Sequence, residues 1–543
     1  MVFARRSTTL LAAIIASCAM VLSLTACTSD NKTVVDGQTT VTSNSAGGVA
    51  VFTPSDGITL NQQMPLNKWA KLVPDLTKAL VDAGFKKGDI DHTTSDSLDK
   101  QSRAIQDFVV DHLSNNTTDD SGIAIAPDNM TLLVAPVVEA DASTRQYGDY
   151  VSQNLSTNDV TDEGATSDGE SSEDDSSKDD SSNTESDSTA SDEQAQAVDR
   201  LVSSLKLAKE SGMHVVLLGN SIEGYKPDAF VKFSDAQTIG KLQAEKMVSK
   251  LKLDKASKDN PKYIEVLLPY TAVDEKGNAN DSTFAQEAFR GIWQVLGSYY
   301  QKGVVESPSG TLDGKSTEND WQAVAYDAAK EGSTAKVLDK RLAKTDGQST
   351  LTRIDGIITM NDYIASEVVK ELDDLGYTGS AADINPQITI SGIVGNITGK
   401  KDLSRDAVPD PIKSPENDNA NDSSSSDDDA DEDTSASDKD RDSQWPLVTG
   451  YGAYVSNIPS IVNGKQWMTG MEDRQTIATD IAQACAKLNK DEALNSMPSI
   501  RSSEVGGVKK IPTISEPLLA VSASNLKSAL IDPGYISLAD AGL

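Results

Sequence analysis

The chain has 543 residues, room for two to four domains at about 150 residues each, and a formal charge of −34. That charge, with no Lys/Arg cluster interleaved with aromatics, excludes a nucleic-acid partner, because a phosphate backbone needs a basic face. His92, His112 and His214 have no partner at metal-ligand spacing, which argues against a zinc site and a histidine-based triad.

The amino terminus reads as an address. Arg5-Arg6 precede an apolar run from Thr9 to Leu24, and Leu24-Thr25-Ala26-Cys27 follows: a positive, an apolar and a small-residue region in the order of an export signal. Cysteine directly after Leu-Thr-Ala resembles a bacterial lipobox. That resemblance implies cleavage before Cys27 and lipid on its sulfur and amine; an ordinary signal peptide or a single membrane helix are the alternatives. Several acyl chains anchor far better than one, at ~0.8 kcal/mol per buried methylene. Residues 1–26 are expected to be the signal peptide, and the polar residues 27–47 a flexible tether. No later run is apolar enough to span a bilayer, so the mature chain is expected lipid-anchored on the extracytoplasmic face of the cell membrane. Cys18 falls within the signal. Cys485 is left without an intrachain partner, on an apolar face with Ile477, Ile481 and Leu488, and reads as a packed core thiol.

Gly48 to Phe52 is a first strand, followed by a loop with Pro54 and Gly57. Trp69, Leu72, Val73, Leu76, Ala79 and Leu80 recur at helical spacing up to Gly84. A weak strand at Asp89–Thr93, a helix from Gln101 to Leu113 and an apolar strand from Met130 to Val138 continue the pattern. Strand, helix, strand, helix, strand argues a parallel α/β sheet. Residues 156–195 then turn to Ser, Asp, Glu and Thr, too polar to offset chain entropy, and are expected to be a disordered acidic insert. Residues 414–443 are of the same kind. Neither has an EF-hand loop; solvated surface inserts are the plainer reading, weak divalent-ion association or repulsion from anionic wall polymer the other.

Order resumes with a helix from Ala197 to Ala208, a strand from His214 to Gly219, and Val231-Lys232-Phe233-Ser234-Asp235 leading into a helix with Gly240, Gln243 and Ala244. A strand from Tyr263 to Leu268 is followed by the polar loop Asn278–Ser282 and a helix carrying Phe284, Ala288, Phe289 and Ile292. Asp281 or Ser282 can cap that helix. Asn319-Asp320-Trp321 precede another helix. Asp355-Gly356-Ile357-Ile358-Thr359-Met360 reads as a buried strand delivering Asn361-Asp362 to a helix that ends at Gly376. Ligands in such sheets bind at the carboxyl ends of strands, where the amide of Asn361 can both donate and accept, with Asp362 as a cap. Ile388–Ile393 is a further strand, and Ile511 to Leu519, with Val521 and Asn525-Leu526, makes up the last part of the chain.

Between them lies Val448-Thr449-Gly450-Tyr451-Gly452-Ala453, then Val455, Ile458 and Ile461-Val462 at helical spacing, then Gly464-Lys465-Gln466-Trp467-Met468-Thr469 and Glu472-Asp473-Arg474. Strand, glycine turn, short helix and return read as two hinge crossings. This run resembles the hinge segment of type I periplasmic binding proteins, in particular their xylose- and multiple-monosaccharide-binding branch. The resemblance extends over most of the chain outside the acidic inserts. It implies an α/β fold of two Rossmann-like lobes joined by a multi-strand hinge: residues 48–233 plus 449–468 in one lobe, 234–448 plus 469–543 in the other, with a gap bounded by Asn361, Trp69 and Tyr451. It further implies a binding protein, not an enzyme, that needs no cofactor, works as a monomer, captures a sugar or sugar-like ligand and hands it to an ABC permease. No nucleophile-base set is visible that would suggest a hydrolase. The ligand-binding positions it implies are Trp69 (equally a core anchor), Asp235, Asn280, Trp321, Asn361, Tyr451 and Gln466. The chain departs from the branch at Ala236, at Asn220-Ser221 and at Tyr451-Gly452, where the branch carries polar contacts. That departure motivates an alternative: a sensor or surface-interaction lipoprotein with a degenerate cleft and no transport role.

Overall fold

Apolar runs bounded by glycine, proline or a helix-capping residue become strands buried on both faces, because helices cover both sides of a parallel sheet. A computed structural model describes residues 33–35, 38–40, 46–55, 65–115, 125–138, 145–151, 153–157, 185–273, 280–343, 351–381 and 443–543. Cys27, the expected strand Ile388–Ile393 and most of both acidic stretches lie outside the described residues. Residues 185–195, expected in the first insert, belong to a helix that runs Glu185–Glu210. Thr33–Val35 and Gln38–Thr40 form a small antiparallel pair of their own.

From Ser45 onward the chain builds two main sheets. The first runs, in spatial order, Ile500–Val505, Val508–Ser515, Ala229–Lys232, His214–Leu218, Met130–Val134, Gly48–Pro54 and Ile90–Ser95. All its pairings are parallel except the hairpin that closes one edge. Trp69–Asp82 and Arg474–Leu488 pack over one core of this lobe, and Leu98–Asn115 and Glu185–Glu210 over another. The second sheet runs Val305–Glu306, Lys262–Val266, Gly356–Ile358, Leu447–Tyr451, Met468–Met471 and Leu519–Ser522. It too is parallel but for its last strand.

Among the described residues three crossings join the lobes: after Lys232, after Met471 and after Ser515. The α/β reading and the two lobes agree with the sequence reading; the partition of the carboxyl-terminal third does not. Leu447–Tyr451 and Met468–Met471 pair with each other in parallel, Thr449 opposite Met468. The glycine turn and short helix between them therefore make one compact crossover within the second sheet, not a passage between lobes, so residues 449–468 stay in the second lobe. The chain then returns. Arg474–Leu488 carries Cys485 into the first core, and Ile500–Ser515 extends the first sheet, so 469–543 does not belong to the second lobe as a block.

In the second lobe Ala236–Lys250 and Thr283–Gln301 touch backbone to backbone. A β-carbon added at Gly291 would lie 2.0 Å from the carbonyl oxygen of Gln237, and one at Gly240 2.2 Å from that of Ala288. Neither neighbour is a side chain that could swing away. Gly291→Ala is expected to destabilise the fold by ~1–3 kcal/mol, the usual cost of overpacking, measured by urea denaturation; an unchanged midpoint would show that the helices can part at no cost.

Candidate ligand-binding site

The carboxyl ends of both sheets face a common region, the side on which open parallel sheets hold ligands. The first sheet delivers Asn67–Trp69, Pro136, Asn220-Ser221 and Phe233-Ser234 there. The second delivers Met360–Asp362, Tyr451–Tyr454 and Glu472. Across these ends lie residues that no pattern in the sequence singled out, 145–151 and 153–155.

On the first lobe the Asp149 carboxylate accepts from Lys68 Nζ at 2.7 Å and from Trp69 N, the first turn of its helix, at 3.0 Å. A helix start with unpaired N–H groups favours a negative charge. The Asp149 amide donates to Asn67 O at 2.8 Å, and Tyr150 Oη donates to Lys68 O at 2.5 Å. The Tyr150 ring stacks on Phe233 at 4.7 Å and meets the Trp69 ring edge-on at 5.1 Å. Further on, Gln153 N donates to Asn220 Oδ1 at 3.0 Å, and Asn154-Leu155 pairs with Ser221-Ile222.

On the second lobe Gln146 Oε1 accepts from Asn361 Nδ2 at 3.1 Å, and Gln146 O accepts from Tyr454 Oη at 2.7 Å. The Tyr147 ring lies 4.7 Å from Phe284 and 6.3 Å from Tyr451. Asn361 also caps its helix, its Oδ1 accepting from Ile364 N at 2.9 Å. It follows Met360, whose φ of +69° is unusual for a side chain of that size; Gln243 Nε2 holds the Met360 carbonyl at 3.0 Å.

The expected site residues therefore fall into separate groups. Trp69, Asn361 and Tyr451 do converge, but the gap they were to bound is filled by Gln146, Tyr147 and Tyr150. The Trp69 ring is 3% exposed between Tyr150 and Phe233, which is the core-anchor alternative. Asn280 and Trp321 sit together around Tyr270: Asn280 Nδ2 donates to Thr271 O at 2.8 Å, Tyr270 Oη donates to Asn280 O at 3.1 Å, and the Trp321 ring meets Tyr270 at 5.1 Å. Asp235 caps the helix Ala236–Lys250, accepting from Thr238 N at 2.7 Å, and pairs with Lys232 at 3.0 Å.

Gln466 is fully buried and spent on Asp362, the residue after Asn361. Its Nε2 donates to Asp362 Oδ1 at 2.7 Å while its Oε1 accepts from Asn457 at 2.9 Å. Tyr454 N and Thr469 Oγ1, each at 2.9 Å, complete the shell of Asp362. Burial pushes the Asp362 carboxyl up to about 6 against the pull of these donors.

Tyr451 leads to a second buried acid. Its hydroxyl lies 2.6 Å from Ser234 Oγ and 3.4 Å from Glu472 Oε1, and both the amide (2.7 Å) and the hydroxyl of Ser234 donate to Glu472. Ser234 and Glu472 belong to two of the three crossings, so this carboxyl links one passage between lobes to another. Burial pushes it up to about 7. Ser234 and Glu472 lie in the runs Val231–Asp235 and Glu472–Arg474 but were not expected at the site, since nothing local pairs residues so far apart in sequence. Among the described residues no group of three His, Cys, Asp or Glu could hold a metal ion, and no helix is long and apolar enough to cross a membrane. Cys485 is buried, and burial pushes its thiol well up.

No protein-family model matches the chain. No curated protein matches it either. Solved structures do resemble it. An ABC-transporter solute-binding protein from Clostridium phytofermentans with bound β-D-glucose is 17% identical, covering 91% of this chain and 99% of its own, at a TM-score of 0.44. A carbohydrate-transporter solute-binding protein from Chloroflexus aurantiacus in complex with D-glucose is also 17% identical, covering 92% and 98%, at 0.43. A solute-binding protein from Bacillus halodurans with bound myo-inositol is 11% identical, covering 90% and 98%, at 0.36.

The folded protein keeps the Glu472 proton up to about 7, whereas an unfolded chain releases it near 4.5. Between those values the folded state binds more protons, so this group's contribution to stability falls as pH rises. The stability of the native protein minus that of Glu472→Gln is expected to fall across that window by on the order of 3 kcal/mol, read by urea denaturation at several pH values; a difference independent of pH would mean that Glu472 ionises normally.

Proposed function

We propose that the protein is a two-lobe solute-binding protein that takes a small polyhydroxylated ligand, of the size and chemistry of a monosaccharide, at the facing strand ends, and passes it to an ABC permease while held to the outer face of the membrane through lipid on Cys27. The observation that supports this best is the convergence of Lys68, the start of the Trp69 helix, Asn361 Nδ2, Tyr454 Oη and the rings of Phe284 and Tyr451 from two lobes onto one space. Charged and amide donors pair with hydroxyls, rings cover the apolar face of a sugar, and an analogue lacking a hydroxyl leaves a buried donor unpaired. Trp69 and Gln466 serve in this reading as supports, one for the helix that presents Lys68, the other for Asp362 behind Asn361. Asn280 and Trp321 flank the second-lobe side, and Asp235 stands at the first crossing.

A second reading has its own observation. Asn361 and Tyr451 are fully buried and already hydrogen-bonded within the chain, as they would be in a sensor or surface-interaction lipoprotein whose cleft has lost its ligand. Calorimetry against a monosaccharide panel separates the two. Heat of binding is expected with at least one member. Asn361→Asp, which keeps the helix-capping oxygen but loses the Nδ2 donor, is expected to weaken it about tenfold, or ~1.4 kcal/mol. Silence across the panel from a folded sample would favour the second reading.

A further inference from the structure

We propose that residues 145–151 are a built-in occupant of the interlobe site: this strap holds the two lobes together in the absence of ligand, and a ligand gains the site only by displacing it. The first half stands on geometry alone; the second rests on the binding reading above.

The strap offers each lobe the kind of group a ligand would offer. To the first it gives the Asp149 carboxylate, taken by Lys68 and by a helix start, and the Tyr150 ring, taken by Phe233 and Trp69. To the second it gives the Gln146 side-chain oxygen, taken by Asn361, the Gln146 carbonyl, taken by Tyr454, and the Tyr147 ring, which packs among Phe284 and Tyr451 at 1% exposure. Gly148 joins the halves with φ at +96°, and a β-carbon there would come within 2.5 Å of Asn67 O. Only glycine lets the chain lie this close while turning from one lobe to the other. Beside it Asn67 is 1% exposed, and its Nδ2 has no hydrogen-bond partner among the described residues, which leaves a buried donor for whatever replaces the strap.

A tethered segment competes at an effective concentration of the order of mM. A ligand that needs the strap displaced binds with an apparent Kd equal to its intrinsic Kd divided by the open fraction. The strap thus lowers affinity without touching the ligand, and it closes the lobes in its place.

Small-angle scattering of the full chain without ligand tests closure. The doubly substituted Gln146→Ala, Tyr147→Ala chain, and separately Gly148→Ala, are each expected to show a larger radius of gyration than the native protein while still melting cooperatively. Equal radii in both variants, with cooperative melts, overturn the proposal. Should the double variant fail to melt cooperatively, Gly148→Ala, which alters no group that touches the second lobe, decides alone. Calorimetry with the monosaccharide panel tests displacement: the Gly148→Ala chain is expected to bind at least about tenfold more tightly than the native one. Unchanged affinity in an unopened variant sinks the strap and leaves the binding reading standing. Opening of both variants with no heat from any sugar does the reverse.

Discussion

Two carboxylates taken fully out of water, Asp362 and Glu472, govern how the strand ends of this protein are arranged. Stripping a carboxylate of solvent costs several kcal/mol unless donors close around it, and among the described residues neither acid has a cation in its shell. Asp362 gathers a backbone amide, a threonine hydroxyl and a glutamine amide from three successive segments of the second lobe. The turn after Tyr451 and the return into Met468–Met471 are thereby bound to the helix that Asn361 starts. Glu472 gathers Ser234 and Tyr451. Glu265 in the second lobe is the contrast: Arg341 lies 3.0 Å away, and the Ser307, Ser309 and Thr311 hydroxyls also donate to it. It is a buried acid with a cation, remote from the crossings.

Because the two cation-free acids sit at the strand ends, the polar surface there is largely committed before any ligand arrives. Asn361 is held by its own helix cap and Tyr451 by Ser234. Gln466 and Thr469 are consumed by Asp362. What remains for recognition are groups pointing past these anchors: Asn361 Nδ2, Tyr454 Oη, Lys68 Nζ and the first amide of the Trp69 helix. A site built this way is rigid on its supporting side. Its few outward donors must be satisfied by something, since a buried unpaired donor costs about 1–3 kcal/mol. The chain satisfies them with residues 145–151.

Where a physical signal was periodic, the sequence carried it. Apolar runs such as Met130–Val134 and Gly356–Ile358, and the 3.6-residue repeats over Trp69–Asp82 and Asp362–Leu375, became the elements they announced, with Gly84 and Gly376 ending those helices. What resisted was connectivity. The run from Val448 to Thr469 has the local pattern of a strand, turn, helix and strand whether it stays in one sheet or passes between lobes. The difference lies in the pairing of Thr449 with Met468, a contact with no local trace. The strap was illegible for a related reason. Tyr147-Gly148-Asp149-Tyr150 has neither helical nor strand period, and its meaning comes from partners at Asn67, Lys68, Phe233, Phe284 and Asn361, all distant in the chain. Trp69 was found through a resemblance of motifs, and Asn361 through that and its place at a strand end; both routes give a position but not its occupant.

The strap also constrains what could take its place. A displacing molecule must put an acceptor within reach of Lys68 and the helix start, because withdrawing Asp149 takes the acceptor from the Lys68 ammonium and from the Trp69 N–H. It must offer acceptors to Asn361 and Tyr454 in place of the two oxygens of Gln146. It must also cover Phe284, since removing Tyr147 would wet an apolar surface at ~25 cal/mol per Å². A molecule rich in hydroxyls with one apolar face meets all three demands in a single small body; a purely apolar molecule fails the first two, and a simple anion the third. A replacement would exchange these contacts one for one and add at most a partner for the buried Asn67 Nδ2, so its selectivity would come from the geometry of the replacement and from the freedom the strap regains on leaving.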